Sequence, residues 1–141
     1  MVLKRIVLVE DNPADIFLVR EALCARGLSF ELVCYGDVPE ALAGLFDESI
    51  AVPDAILLDL NLPRGEGLDI LQAVRASARL AHVPVAILTS SQYPRDRERA
   101  QSLGINAYIH KASRLEEFLE RVGGAVDELL HSESEVPVPP K

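Results

Sequence analysis

The chain has 141 residues and a mass of 15.4 kDa, which fits one domain built around a single core. Its 14 Lys and Arg stand against 22 Asp and Glu, and the resulting net charge of −8 repels a phosphate backbone, so direct nucleic-acid binding is not expected. No apolar stretch approaches the roughly 18 residues that span a bilayer, and the apolar start is broken by Lys4 and Arg5 without a small-residue cleavage site; the expectation is a cytoplasmic protein with no membrane partner. Cys24 and Cys34 lack zinc-type spacing and read as two buried thiols in a reducing compartment.

Residues 6–9 form a short apolar run without polar alternation, as expected of a strand covered on both faces of a parallel sheet. A helix follows, with Asn12 as N-cap, Pro13 at the first helical position, Ile16, Val19 and Leu23 on one face, and Gly27 as the stop. Residues 30–35 are rich in β-branched and aromatic types but carry Glu31, which suits an exposed sheet edge. Asp37 with Glu40 then makes a capping-box pattern ahead of Leu42, Leu45 and Phe46. A second aliphatic run at 55–58 leads to a helix over 68–78, with Leu71 and Val74 at helical spacing. The third run, 85–88, precedes a highly charged helix over 94–103 that stops at Gly104. Residues 105–109, with Asn106 among them, resemble the other edge. Ser113 with Glu116 caps a last helix bearing Leu115, Phe118, Leu119, Val122 and Val126. Gly123 and Gly124 interrupt that helix at about 1 kcal/mol each relative to alanine, and Val126, Leu129 and Leu130 beyond them either pack on the domain or form a dimer seam. Residues 1–131 are thus the folded domain, and 132–141, with three prolines and no apolar period, a disordered tail.

Five βα units imply an α/β fold, a doubly wound parallel sheet with helices on both faces and right-handed crossovers. The flavodoxin-like (βα)5 strand order 2-1-3-4-5 follows, with a crevice at the carboxyl ends of the first and third strands. Glu10 and Asp11 stand at the end of the first strand, Asp59 at the third, Thr89 at the fourth, and Lys111 at the fifth. Two like charges about 4 Å apart repel by roughly 4 kcal/mol at an effective dielectric of 20, so three carboxylates in one crevice call for a cation. Oxygen ligands without His or Cys, apart from the nearby His110, favour Mg²⁺ over zinc.

This arrangement resembles the receiver domain of bacterial two-component response regulators over about residues 3–131. The resemblance is carried by Val9-Glu10-Asp11-Asn12, by Asp59-Leu60-Asn61-Leu62-Pro63 with Gly67, by Thr89-Ser90, and by Tyr108 three residues before Lys111. Within that family the wording of residues 10–15 and 58–63 is most similar to single-domain regulators that partner phytochrome-type kinases. The resemblance implies a phosphoryl group passed from a kinase phosphohistidine to Asp59, with Mg²⁺ held by Glu10, Asp11, Asp59 and the backbone carbonyl of Asn61. It further implies that Lys111, the Thr89 hydroxyl and the Ser90 N–H bind phosphoryl oxygens, that Thr89 and Tyr108 form a switch, and that Asn61 and Ser91 help set the lifetime of the acyl phosphate. Slow self-dephosphorylation is expected, but no external metabolite is processed. Implied partners are a sensor histidine kinase, a phosphotransfer protein, or a second copy bound through the fourth helix, fifth strand and fifth helix.

Ala112 departs from the family pattern, which places a cis-linked proline after the lysine. A cis bond before a non-proline residue costs roughly 3 kcal/mol, so a trans link is expected here. His110 is read as an exposed edge-strand side chain. Two other functions share parts of this chemistry: an aspartate-nucleophile phosphohydrolase, which uses Asp-x-Asp on its first strand, and a flavin-binding module on the same fold.

Overall fold

The computed structural model describes residues 3–111 and 114–131, within which strands and helices alternate. In chain order they are β1 (Lys4–Val9), α1 (Pro13–Ala25), β2 (Phe30–Tyr35), α2 (Val38–Leu45), β3 (Ala55–Asp59), α3 (Gly67–Ala76), β4 (Val85–Thr89), α4 (Pro94–Leu103), β5 (Ala107–His110) and α5 (Leu115–His131). The sheet is parallel throughout, in the order β2-β1-β3-β4-β5, which is the expected flavodoxin-like arrangement. Its register pairs Val9 with Leu58, Asp59 with Leu88 and Thr89 with His110, so the carboxyl ends of the inner strands finish together at one edge.

Strand alternation divides the core in two. Ile6, Leu8, Leu57 and Leu88 face Val19 and Leu23 of α1 and Phe118, Val122 and Val126 of α5. Val7, Val9, Ile56, Leu58 and Ile87 face Val38 and Leu45 of α2, Leu68 and Leu71 of α3, and Ala100 of α4. Burying each such Leu or Ile contributes about 2–3 kcal/mol, so the three inner strands supply most of the driving force and need no polar alternation. Ala100 is the sole buried residue of α4, whose other positions are mostly charged.

Local chemistry fixes the helix ends. Asn12 Oδ1 accepts from the Ala14 N–H at 2.9 Å, and Asp37 Oδ1 accepts from the Glu40 N–H at 2.8 Å. Glu40 turns its own carboxylate to the Gly36 N–H, so only half of the expected capping box forms. A box between Glu66 and Asp69 starts α3 at Gly67, one residue earlier than the apolar spacing suggests, and the helix stops at Ala76. At the far end of α3, Arg75 donates to the carbonyls of Gly104 (2.7 Å), Ala81 (3.0 Å) and Val83 (2.7 Å). One guanidinium thereby ties α3 to the connections before β4 and after α4.

Several expectations need correction. Cys24 is exposed, because its neighbours Ala22 and Leu23 take the inward positions of α1, and Cys34 is only half-buried on the edge strand β2. Phe46 and Leu115 are exposed, lying at the C-cap of α2 and the first residue of α5, beyond the stripes that meet the sheet. β5 begins at Ala107, and Asn106 ahead of it holds Val85 twice, its N–H donating to the Val85 carbonyl at 2.8 Å and its side-chain carbonyl accepting from the Val85 N–H at 2.9 Å. His110 is half-buried, with Nε2 inaccessible and lacking a hydrogen-bond partner among the described residues. The glycine pair does not interrupt α5, which runs through both. A Cβ at position 123 would lie 3.0 Å from the Ala22 carbonyl oxygen, so Gly123 permits close approach of α1. Val126, Leu129 and Leu130 are buried within the domain, which settles their alternatives. The cap at Ser113, the link to Ala112 and the tail from 132 to 141 lie outside the described residues. No helix among the described residues is long and apolar enough to cross a membrane.

Candidate functional site

Where the inner strands end, aliphatic residues give way to acids and a hydroxyl. Glu10 follows β1, its N–H donating to the Tyr35 carbonyl at 2.9 Å, while Asp59 and Thr89 close β3 and β4. These are the buried polar residues of the described chain, with exposures of 1%, 4% and 0%. Asp11 lies beside Glu10 and is exposed, as are Asn61 and Ser90. Lys111 arrives from the end of β5, anchored by its N–H on the Thr89 carbonyl at 2.8 Å. The four strand ends singled out in the sequence therefore meet at one edge.

Gly67 holds the loop after β3 against that edge. A Cβ there would fall 2.3 Å from the Asp59 carbonyl oxygen and 2.8 Å from the Leu60 Cα, a space only glycine leaves free. The loop turns through Arg64 at a φ of 63° and Gly65 at 148°, and the Val38 N–H donates to the Pro63 carbonyl at 3.3 Å.

One carboxylate oxygen each from Glu10, Asp11 and Asp59 converge to within 4.8 Å of one another. The Lys111 ammonium donates to Glu10 Oε2 at 2.8 Å, Asp15 Oδ2 at 2.8 Å and Asp59 Oδ2 at 3.1 Å, with its side chain 16% exposed. An ammonium has three N–H donors, and each has an acceptor here. The remaining oxygens are also oriented: Glu10 Oε1 accepts from the Asn12 N–H at 3.2 Å and Asp59 Oδ1 from the Asn61 N–H at 3.0 Å.

One ammonium cannot neutralise this set. Burial pushes the Glu10 carboxyl up to about 7; the hydrogen bond from Lys111 opposes the rise and the charge of Asp59 adds to it. For Lys111 burial alone would pull the ammonium down, but hydrogen bonds to Asp15 and Glu10, with the charges of Asp59 and Glu10, outweigh it and raise its pKa. The crevice thus retains an excess of negative charge on hard oxygen donors. That chemistry suits a divalent hard cation far better than a thiophilic one.

Thr89 Oγ1 accepts from the Ser91 N–H at 3.0 Å. Ser91 Oγ in turn donates to Asp96 Oδ2 at 2.7 Å and accepts from the Tyr93 N–H at 3.2 Å, linking the threonine hydroxyl to the first turn of α4. Tyr108 is half-buried beside that helix, with the Arg97 guanidinium 5.1 Å from its ring centroid. Burial, with the nearby charge of Asp96, raises its phenol pKa. Ser91, Tyr93, Arg97, Tyr108, His110 and Arg121 border a groove of about 510 Å³ on this side.

Two features escape a reading based on strand ends. Asp15 belongs to the first turn of α1, and its only signal is the Asn12-Pro13 start that fixes where the turn begins. The Ser91–Asp96 link joins residues five apart across a helix start, and the charged run around Asp96 hides it.

A lysine over an acid-lined crevice, at the carboxyl edge of a parallel sheet ordered 2-1-3-4-5, is the architecture of a two-component phosphoacceptor module. The chain belongs to the response regulator receiver domain family, which matches residues 6–123. It is 35% identical over 125 residues to the response regulator Rcp1 of Synechocystis sp., covering 86% of this chain and 85% of Rcp1. Among solved structures it superposes on the phosphorylated cyanobacterial phytochrome response regulator RcpA with a TM-score of 0.85 and 36% identity, over 99% of this chain and 100% of that one. The Mn²⁺-bound form of Rcp1 superposes with a TM-score of 0.81 and 33% identity, over 98% and 99% of the two chains. The protein is therefore homologous to single-domain response regulators, and a phosphoacceptor signalling role fits its crevice.

Proposed function

We propose that this protein accepts a phosphoryl group on Asp59 from the phosphohistidine of a sensor kinase and signals through the resulting change of shape. The observation that carries this reading is the Lys111 ammonium seated on Asp59 Oδ2 while the Asn61 N–H fixes Oδ1. Attack by Oδ2 on phosphorus forms the acyl phosphate as the phosphorus–nitrogen bond breaks and its electron pair leaves with the imidazole. Phosphoryl transfer demands positioning and charge neutralisation more than covalent chemistry. Lys111, the Thr89 hydroxyl and the Ser90 N–H are the groups assigned to the transferred oxygens.

Glu10, Asp11 and Asp59, with the Asn61 carbonyl, are assigned to a divalent ion, in the cell Mg²⁺. The convergence of their oxygens supports this, as does the Mn²⁺-bound form of a relative. Such an ion neutralises charge on the transferred oxygens. Slow self-dephosphorylation, tuned by Asn61 and Ser91, resets the signal.

Switching follows from the Thr89 relay. A threonine hydroxyl drawn to the phosphoryl group gives up the Ser91 N–H, which loosens the link to Asp96 and α4 and lets Tyr108 turn inward. The face made by α4, β5 and α5 then presents a new surface to a phosphotransfer protein or a second copy. Likeness to RcpA, a cyanobacterial phytochrome response regulator, supports a phytochrome-type kinase as the donor. In this reading residues 1–131 are the receiver and the cytoplasm is its place of action.

The test is incubation with acetyl phosphate and Mg²⁺, followed by intact mass measurement of wild type and Asp59→Asn. Wild type should gain one phosphoryl group and the variant none. Equal incorporation in both would remove Asp59 from the acceptor role.

A further inference from the structure

Asp15 supplies one of the three contacts on the Lys111 ammonium, at 2.8 Å, as short as that from Glu10. Its position is built in: Asn12 caps α1, Pro13 opens it, and Asp15 falls in the first turn with its side chain 23% exposed. The three acceptors on Lys111 are not equivalent. Glu10 and Asp59 belong to the carboxylates whose oxygens converge with those of Asp11, whereas Asp15 stands outside that set. A divalent ion and Lys111 therefore contend for Glu10 and Asp59, and only the contact with Asp15 is uncontested.

We infer that Asp15 is the positioning residue for Lys111. It keeps one ammonium N–H in place while the two N–H groups released by Glu10 and Asp59 turn to the phosphoryl oxygens. The inference rests on the phosphoacceptor reading above. Its direction follows from electrostatics: without Asp15 the lysine charge falls entirely on Glu10 and Asp59 and holds them more tightly. The crevice also loses one negative charge. Both effects weaken uptake of a divalent ion.

The test compares wild type, Asp15→Asn, Asp15→Glu and Glu21→Gln, the last removing an exposed acid from the same helix. Calorimetry with Mg²⁺ gives the affinity, and ¹⁵N NMR of the lysine ammonium groups follows Lys111 directly, because Lys4 and Lys141 are the only other lysines. Asp15→Asn should bind Mg²⁺ about five- to tenfold more weakly, the scale of one partly buried charge-assisted hydrogen bond. Its Lys111 ammonium signal should broaden away at saturating Mg²⁺ while that of wild type persists. Asp15→Glu should recover most of the affinity, and Glu21→Gln should stay within about twofold of wild type. In a Lys111→Met background the effect of Asp15→Asn should shrink to less than about half, as it must for a residue acting through that lysine. An equal effect in both backgrounds, or an unchanged ammonium signal in Asp15→Asn, overturns the inference. Either result alongside normal Asp59 phosphorylation in wild type leaves the phosphoacceptor reading standing, whereas wild type that takes up no phosphate at Asp59 defeats that reading itself.

Discussion

Glu10→Gln removes an ionisable group from the buried edge of β1 while keeping its volume and one of its two oxygens, which can accept from Lys111 as Oε2 does or from the Asn12 N–H as Oε1 does. Glu10 is 1% exposed, and burial, opposed by the Lys111 hydrogen bond, pushes its carboxyl up from 4.5 to about 7. Between those values the folded protein holds a proton that the unfolded chain has released, so stability falls as pH climbs through the window. The difference between 4.5 and about 7 corresponds to about 3 kcal/mol, of which about 2 kcal/mol is lost between pH 5.5 and 8.5. Urea unfolding followed by far-ultraviolet circular dichroism, in EDTA, measures it. Stability of wild type should drop over that range by about 2 kcal/mol more than that of Glu10→Gln, and saturating Mg²⁺ should flatten the wild-type curve because it favours the ionised carboxylate. Parallel stability curves for the two proteins would refute burial as the dominant influence on Glu10.

Lys111→Met leaves Glu10 and Asp59 buried without their counter-charge and should lower stability by about 3 kcal/mol at pH 8. The loss should be smaller at pH 5.5, where Glu10 takes up a proton, and thermal melts at the two pH values would show the difference. Gly67→Ala drives a methyl group against the Asp59 carbonyl oxygen and the Leu60 Cα, both backbone atoms that cannot rotate away. It should cost about 2 kcal/mol in urea unfolding, and phosphate incorporation should slow as the loop that follows Asp59 shifts.

The inner strands were legible because a strand covered on both faces needs only aliphatic residues, and once their order was known the acids at their ends had to share an edge. Pro94 and Gly104 marked α4 equally well, since each acts through its own backbone geometry. Harder to read were choices decided by side chains reaching across the fold. Asn106 resembles a strand residue until its amide is seen bracing Val85, and Asp69 resembles a surface acid until its place in the box with Glu66 is known. Asp15 is the clearest case: its partner lies 96 positions away, and neither spacing nor periodicity connects the two. The inward and outward faces of α1 were also misjudged at Cys24, one step past the last inward residue.

The Arg75 contacts have a mechanical consequence for α4. Its C-terminal end at Gly104 is tethered by a charged donor, whereas its start is held chiefly through hydroxyl and carboxylate groups leading back to Thr89. Ten residues at about 1.5 Å of rise each make a lever about 15 Å long. A tilt of about 10° around the fixed end would sweep Pro94 through about 2.5 Å while Gly104 hardly stirs. Displacement would then be greatest beside Tyr93 and fade toward the opposite pole of the domain, giving the molecule one compliant end and one rigid base.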